Sequence, residues 1–436
     1  MRGPLTFQQQ FLWDYFNLQN GERPRDASIF RIVGSLDSAL LTESLNEVVR
    51  RHDCLRTRIV TTDGVLEQHV DESAVLGLQI VDLRGFTQRE RERQAREFID
   101  EFAGSKCDLA VGAPIDAALI HMSTQEHLFA WAVHHVVADG ISNSIVLAEL
   151  WSVYCELLQG QPRPARSPVR YLDYALWQHA TQDDWLHKHG PYWKDRIAAA
   201  ARVHWPPDPH VGRDQPTNAW YEMDFGPIPW ATLRRVAQRA RTTPAMVMLT
   251  IYAAVVASWC GQSTLTIPVN IAGRHRSEHE YAAGYFAQFL YVAVEITANQ
   301  TFLELLARVS AEFRGALLHQ DFGKVAARAP DVLLGSMFSW LPWDRATFGH
   351  AASSVSKKLG FAVETYPFTP PRMPLLEFQG IGTFFFESAG EYSAALWYRT
   401  DVFSAGTVER FALELRNYCE RALTSQDGRL LEQRDG

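Results

Sequence analysis

The sequence predicts an α/β fold in two halves, and three observations carry that expectation. Short apolar, β-branched segments alternate with segments whose apolar residues recur at helical spacing along most of the 436 residues. His127-Leu-Phe-Ala-Trp-Ala-Val133 has the length and β-propensity of a strand buried on both faces, and a short turn leads from it into a helix over Ser142–Gly160. A polar, proline-rich stretch around residues 178–215 breaks the alternation. It places a boundary there, between an N-terminal subdomain 1–178 and a C-terminal subdomain 179–436.

Each element has a local reason. Residues 5–16 form a short amphipathic helix opened by Thr6, and Ile29–Gly34 is a strand followed, after Asp37, by a helix over Ser38–Arg50. The charged cluster Arg51–Arg58 at that helix exit has the ordinary reading of a solvated cap. Residues 87–104 form a polar helix whose Arg89-Glu-Arg-Glu-Arg93 run alternates in sign, as a solvated face with local ion pairs does. Pro114–Met122 is a strand that a turn at Ser123–Glu126 pairs with the apolar strand after it. In the following helix Ile145, Glu149, Val153 and Leu157 recur on one face, with Gly160 as the stop. A proline-rich connector then reaches an aromatic helix start at Tyr171.

The second half opens with a strand near Ala219–Phe225. A helix over Trp230–Arg241 follows, with Leu233, Val236, Ala237 and Ala240 inside and Arg234, Arg235, Arg239 and Arg241 outside. Next come an apolar helix over 244–260, a turn at Gly261 and a strand over Ser263–Val269. Thr301 with Glu304 is a capping box for a helix to His319 striped by Phe302, Leu305, Leu306, Val309 and Phe313. A strand at Glu391–Tyr398 and a closing helix over 406–423 complete the chain.

Composition narrows the function. With 47% hydrophobic and 21% charged residues this is an ordinary globular chain, and a net charge of −8 argues against a nucleic-acid surface. The five cysteines are scattered and odd in number, with no C-x-x-C spacing. They are expected to be reduced, mostly buried thiols of a cytoplasmic protein rather than a disulfide framework or a metal site. The N-terminus has no hydrophobic signal region, and the apolar run 244–260 is short for a bilayer and carries Thr, Tyr and Ser, so no membrane span is expected.

The chemistry-bearing residues cluster at the end of the apolar strand. Side chains alternate along a strand, so His134 and His135 face opposite ways; one is expected to be chemical and the other packed. A histidine suits general-base work because its unperturbed pKa is about 6.5. Asp139 can orient a ring or pair with a distant Arg, and Gly140 lets the turn bend and brings backbone close to a ligand. Zinc is disfavoured, since adjacent strand histidines diverge and no further ligand cluster is near. Taken singly, these pieces are also ordinary: Asp-Gly is common turn chemistry, and a His in an apolar strand is most often a satisfied core residue.

Together, however, His134-His135-x-x-x-Asp139-Gly140-x-Ser142 resembles the signature of nonribosomal peptide synthetase condensation domains and their relatives in the chloramphenicol-acetyltransferase-like superfamily. Counterparts of the other family motifs occur in order. Thr6, Gln9, Leu12 and Trp13 match the first, with Phe11 where Arg is usual, and Arg51-His52-Asp53-x-Leu55-Arg56-Thr57 matches the second. Tyr171-x-Asp173-Tyr-Ala-x-Trp177 is the fourth, intact. Gly284-Tyr-Phe-Ala-Gln288 keeps part of the fifth, with Gln288 replacing Asn. His319–Phe322 resembles the sixth, and Val332–Trp340 fits the strand of the seventh. Arg274 lies where members of the family place the arginine that pairs with the motif aspartate.

The resemblance implies a pseudo-dimer of two chloramphenicol-acetyltransferase-like α/β sandwiches in a V, with an active-site tunnel between them. Acyl or peptidyl carrier proteins would deliver substrates on phosphopantetheine, with no cofactor or metal bound by the chain itself. It implies that His135 handles the proton of the attacking amine or hydroxyl, and that His134 and Asp139 maintain the turn with Ser142 in support. An Asp139–Arg274 salt bridge and oxyanion stabilisation by the Gly140 backbone are implied as well. The function so implied is a condensation enzyme joining a carrier-bound acyl or aminoacyl group to an amine or alcohol, with no nucleic-acid or membrane partner. With no adenylation segment or carrier motif in the sequence, the chain is expected to be either a free-standing condensation enzyme or an excised piece of a synthetase, and the short N-terminus beginning with Met favours the former. Alternatives are an acyltransferase esterifying a polyketide or lipid alcohol from a carrier-protein or coenzyme A thioester, and a non-catalytic docking domain. The two-aspartate pattern of heterocyclisation domains and the extra motifs of epimerisation domains are not found. Asp321-Phe-Gly323 is followed by Lys and Val, unlike the late motif of plant-type acyltransferases.

Overall fold

A computed structural model describes residues 1–17, 25–160, 169–211, 217–223, 225, 230–320, 335–341, 362–367, 378–388 and 391–424. The chain divides into two compact units: Met1–Gln182 with Arg274–Ala287 and Arg345–Pro374, and Asp183–Gly273 with Gln288–Asp344 and Leu375–Gly436. The first unit thus takes in Arg274–Ala287, a segment far beyond residue 178.

In chain order the first unit contains β1 (Arg2–Pro4), α1 (Phe7–Asn17), β2 (Arg25–Val33), α2 (Ser38–Arg51), β3 (Thr57–Thr62), β4 (Val65–Val70), β5 (Leu78–Asp82), α3 (Gln88–Gly104), β6 (Ile115–His121), β7 (Glu126–His134), α4 (Gly140–Leu158) and the start of α5 (Tyr171–Ala198). The second contains β8 (Asn218–Met223), α6 (Trp230–Arg239), α7 (Pro244–Cys260), β9 (Thr264–Ile271), β10 (Gln288–Glu295), α8 (Phe302–Leu318) and β11 (Met337–Leu341). β12 (Ala362–Thr365) returns to the first unit, and β13 (Gly382–Ser388), β14 (Glu391–Arg399) and α9 (Ala405–Thr424) complete the second.

Among the described residues the first unit has a five-stranded sheet in the order β12-β2-β7-β6-β5 and a small sheet β1-β4-β3. β7 is the central strand, antiparallel to β2 from Arg25↔His134 to Val33↔Glu126 and to β6 from Ile115↔Val133 to His121↔His127. Both its faces are covered, as an unbroken apolar run requires. Leu128, Ala130 and Ala132 share a core with Ala95, Ile99 and Phe102 of α3. On the other face the Phe129 ring meets Trp151 of α4 at 5.9 Å, and Trp131 Nε1 donates to Asn143 Oδ1 at 2.7 Å.

The second unit is built on a sheet in the order β10-β9-β11-β13-β14-β8. Its core is filled by α7, capped by Thr243, begun by Pro244 and ended by Gly261 at φ 62. The Thr301–Glu304 capping box of α8 forms as expected. The residues expected for the tail of the sixth motif and the start of the seventh, Asp321–Phe322 and 332–334, lie outside the described residues, as does the connector 161–168.

Three expectations are corrected. The polar stretch after residue 178, read as a break in the strand–helix alternation, is helix as far as Ala198, with Pro191 inside it. Of the expected stripe only Val153 is buried, and α4 buries Val146, Leu147, Leu150, Trp151 and Tyr154 besides, because the helix is packed on most of its circumference. The cluster after α2 is not solvated: Arg51, His52, Asp53 and Arg56 are all buried. Among the described residues α4 alone is long and apolar enough to cross a membrane, and half of it is buried within the protein.

Candidate active site

The site is built where β7 gives way to α4. His134, fully buried, closes the strand: its N–H donates to Pro114 O at 2.8 Å, its carbonyl accepts from Val137 N at 3.0 Å, and its Nδ1 accepts from Val136 N at 3.2 Å. It is the packed member of the pair. Asp139 is the N-cap of α4, in an extended conformation (φ −87, ψ 176), and Gly140 is the first helical residue. The bend expected of Gly140 is therefore made by Asp139, and Gly140 instead supplies one of the N–H groups with which a helix begins.

Asp139 is saturated with donors. Its Oδ1 accepts from Ser142 N (2.8 Å) and Arg274 Nη2 (3.0 Å), and its Oδ2 from Arg274 Nη1 (2.8 Å), Phe286 N (3.0 Å) and Ala287 N (3.1 Å). The Arg274 guanidinium, which also lies 4.6 Å from the Phe286 ring centre, thus grips the carboxylate with both terminal nitrogens. Burial works to raise the carboxyl pKa, but Arg274 and Ser142 outweigh it, and the group stays ionised below the ordinary carboxylate range. Ser142 Oγ accepts from Arg274 Nη2 (2.7 Å) and Gly284 N (2.9 Å), leaving its single proton for Asp139 Oδ1 or Gly284 O. Residues 139, 142, 274 and 284–287 are in effect one hydrogen-bonded knot.

The surrounding motif residues hold that knot in place. Asp53 accepts from the backbone N–H groups of Tyr171 (2.9 Å) and Leu172 (3.0 Å), which anchors the start of α5. The Tyr171 hydroxyl is 2.8 Å from Thr6 Oγ1 and donates to Tyr285 O. A Cβ on Gly284 would overlap the Tyr171 ring, so glycine is required there by close approach. Glu149 of α4 takes His52 Nε2 at 2.6 Å and Arg51 Nη1 at 2.5 Å, tying the end of α2 to the helix that follows the histidines.

His135 stands apart from this web. Its Nδ1 is 2.7 Å from Asp26 Oδ2, and the two side chains are 32% and 36% exposed. Its ring meets Tyr285 edge-on at 5.2 Å and 68°. Burial pulls the ring pKa down, but the Asp26 carboxylate more than offsets this and leaves it above the ordinary value of 6.5. With Asp26 accepting the Nδ1 proton, the neutral ring carries its lone pair on Nε2. The structure therefore brings His134, His135, Asp139, Gly140, Ser142 and Arg274 to one turn, and it adds Asp26, to which the sequence does not point. Gln288 opens β10, its backbone paired with Ile271 of β9. Among the described residues no cluster of His, Cys, Asp and Glu could hold a metal, and all five cysteines are free thiols.

A condensation-domain family model matches residues 4–332. A linear gramicidin synthase of Brevibacillus parabrevis is 29% identical over 416 residues, 94% of this chain but 5% of that protein. The isonitrile lipopeptide synthase of Mycobacterium tuberculosis is 30% identical over 332 residues, 73% of this chain and 13% of that one. The chain thus spans a small part of the length of these curated relatives. Among solved structures, the condensation domain of the monacolin K polyketide synthase MokA matches with a TM-score of 0.80 at 16% identity over 99% of both chains. SgcC5 of Streptomyces globisporus matches with 0.77 at 19% identity, over 98% of this chain and 100% of that one. The X-domain from teicoplanin biosynthesis matches with 0.79 at 21% identity, over 98% of this chain and 96% of that one. These structural likenesses establish the mixed α/β fold.

Proposed function

The chain belongs to the condensation-domain family, and from that premise we propose that it transfers an acyl or aminoacyl group from a carrier-protein phosphopantetheine thioester to an amine or alcohol. The observation that carries this reading is His135. It is a partly exposed imidazole with Nδ1 held by Asp26, on a turn whose shape the Asp139–Arg274 pair fixes.

In this mechanism His135 Nε2 accepts the proton of the amine or hydroxyl as its nitrogen or oxygen bonds to the thioester carbonyl. The carbonyl oxygen becomes an oxyanion, towards which the Gly140 backbone N–H at the start of α4 is favourable. The C–S bond then breaks and the departing thiolate recovers the proton from the imidazolium. Because the thioester is already activated, no covalent enzyme intermediate is required. His134, Asp139, Ser142 and Arg274 hold the turn and stay outside the proton path. Asp139 in particular is too well supplied with donors to relay a proton.

The reading places the chain in the cytoplasm, with carrier proteins and a small-molecule acceptor as its partners. The test is a mass-spectrometric product assay. One acyl group is offered in trans as a carrier-protein thioester and as a coenzyme A thioester, against a panel of amines and alcohols. Product from the carrier thioester supports the proposal, and the nucleophile consumed decides between amide and ester. Turnover of the coenzyme A thioester alone converts the reading to an acyltransferase. No product from either, with a carrier protein still bound, converts it to a docking domain.

A further inference from the structure

Asp26 is the second residue of β2, opposite Val133 in the β2–β7 register, so antiparallel pairing carries it to the histidine end of β7. Two contacts then fix the His135 ring: the Asp26 carboxylate at Nδ1 and the Tyr285 ring edge-on. The charged and titratable groups that bear on the ring are Asp26 from β2, Asp139 from the turn and Tyr285 from the 284–287 segment. Asp139 is already engaged by Arg274. Asp26 is therefore, among the described residues, the carboxylate in hydrogen-bond contact with the ring.

We propose that Asp26 is a positioning residue for His135. By accepting the Nδ1 proton it selects the tautomer that leaves Nε2 free to take a proton, and its charge stabilises the imidazolium formed when Nε2 does so. This rests on the general-base reading of His135 and deepens it. The Nδ1 proton stays on the ring, and Nε2 alone gains a proton and gives it back. The arrangement follows the general logic by which a carboxylate behind a histidine fixes the ring and supports its charged form. Both side chains are partly exposed, so water moderates the effect. The expected loss on removing the carboxylate is about 10–100-fold in kcat, the usual worth of a partner behind the reacting group.

The test uses the full chain, histidine-labelled with 13C and 15N, as wild type, D26N, D26A and H135A; the last assigns the His135 resonances by their absence. The wild-type ring should show a protonated Nδ1 and a bare Nε2, and should titrate above the ordinary histidine value. D26N removes the charge and can offer Nδ1 an amide N–H in place of an acceptor: the Nδ1–H tautomer should lose its preference, the titration should move downward, and kcat in the product assay should fall with KM little changed. D26A should lose the tautomer preference as well. A D26A ring that titrates and tautomerises as wild type overturns the proposal, and so does a D26A kcat equal to wild type beside an inactive H135A. Full activity in H135A sinks instead the general-base reading, a different result from either. Unchanged melting of the Asp26 variants, expected from their exposure, excludes misfolding as the cause.

Discussion

Replacing Arg274 by Ala should be among the most damaging single changes available in the first unit, although the residue touches no substrate in the proposed mechanism. The Arg274 and Asp139 side chains are 6% and 4% exposed, so the variant strands a carboxylate in the interior. Breaking such a pair costs about 3–5 kcal/mol. Asp139 keeps the N–H groups of Ser142, Phe286 and Ala287, which favours the lower end, about 3 kcal/mol. At roughly 2–4 °C per kcal/mol for a domain of this size, the melting temperature should fall by about 6–12 °C. R274K keeps a charge but cannot bridge both oxygens, so it should lie between R274A and wild type. The pH dependence gives the signature. In the wild type the depressed Asp139 value adds stability that is present above the ordinary carboxylate range and lost as pH falls through the folded value. Without Arg274, burial raises that value, the folded carboxyl binds a proton more readily than the unfolded one, and stability rises on acidification. The gap between R274A and wild type, measured by circular dichroism melts at pH 7 and pH 5, should therefore narrow. A melting point within 2 °C of wild type, or a gap that widens in acid, would refute the argument.

Other perturbations separate chemistry from scaffold. His135→Ala should lower turnover by about 10²–10⁴-fold at unchanged melting temperature; a folded variant with wild-type turnover ends the general-base assignment. Because the neutral ring is required and its pKa lies above the ordinary 6.5, kcat/KM should climb as pH rises through and beyond that value before levelling; a profile already flat at pH 6 contradicts this. Gly284→Ala should destabilise the protein by at least ~1–3 kcal/mol through overlap with the Tyr171 ring, measured by urea unfolding. Burial raises the Glu149 carboxyl, but His52 and Arg51 more than reverse this and hold it at about 2. Glu149→Gln should therefore cost ~1–3 kcal/mol, with Glu47 still pairing Arg51; no change in the urea midpoint would show that the pairing adds nothing.

What the sequence discloses follows the range of each signal. The run from β7 through Asp139 to α4 is local, written in strand periodicity followed by a cap, and it is legible. The Asp139–Arg274 pair spans 135 residues, and only its motif position reveals it. Asp26 lies 109 residues from His135, and no motif carries it. It escapes a sequence reading because apolar patterning starts β2 at Ile29, whereas the strand begins at Arg25, within a polar run that lacks such patterning. A strand paired with β7 from its first residue places a carboxylate beside the histidines. The burial of Arg51 and His52 is equally invisible, since Glu149, the partner that makes it tolerable, lies on another helix. Along α5, Trp185, His189 and Trp193 recur every fourth residue and do signal a helix, but Pro191 and the polar composition outweigh them.

The donors that complete the Asp139 turn come late in synthesis. Ala287 follows Asp139 by 148 residues, and Arg274 by 135. At about 5–20 residues per second a ribosome needs roughly 7–30 s to cover that distance. During that interval the nascent turn has Ser142 but neither Arg274 nor the Phe286 and Ala287 amides. Because Arg274–Ala287 lies between β9 and β10, the ribosome has also begun the second unit before it finishes the first. The usual order, in which an N-terminal domain folds to completion before the next emerges, is closed to this chain. The acid that shapes its site must wait for a cation made in the middle of another unit.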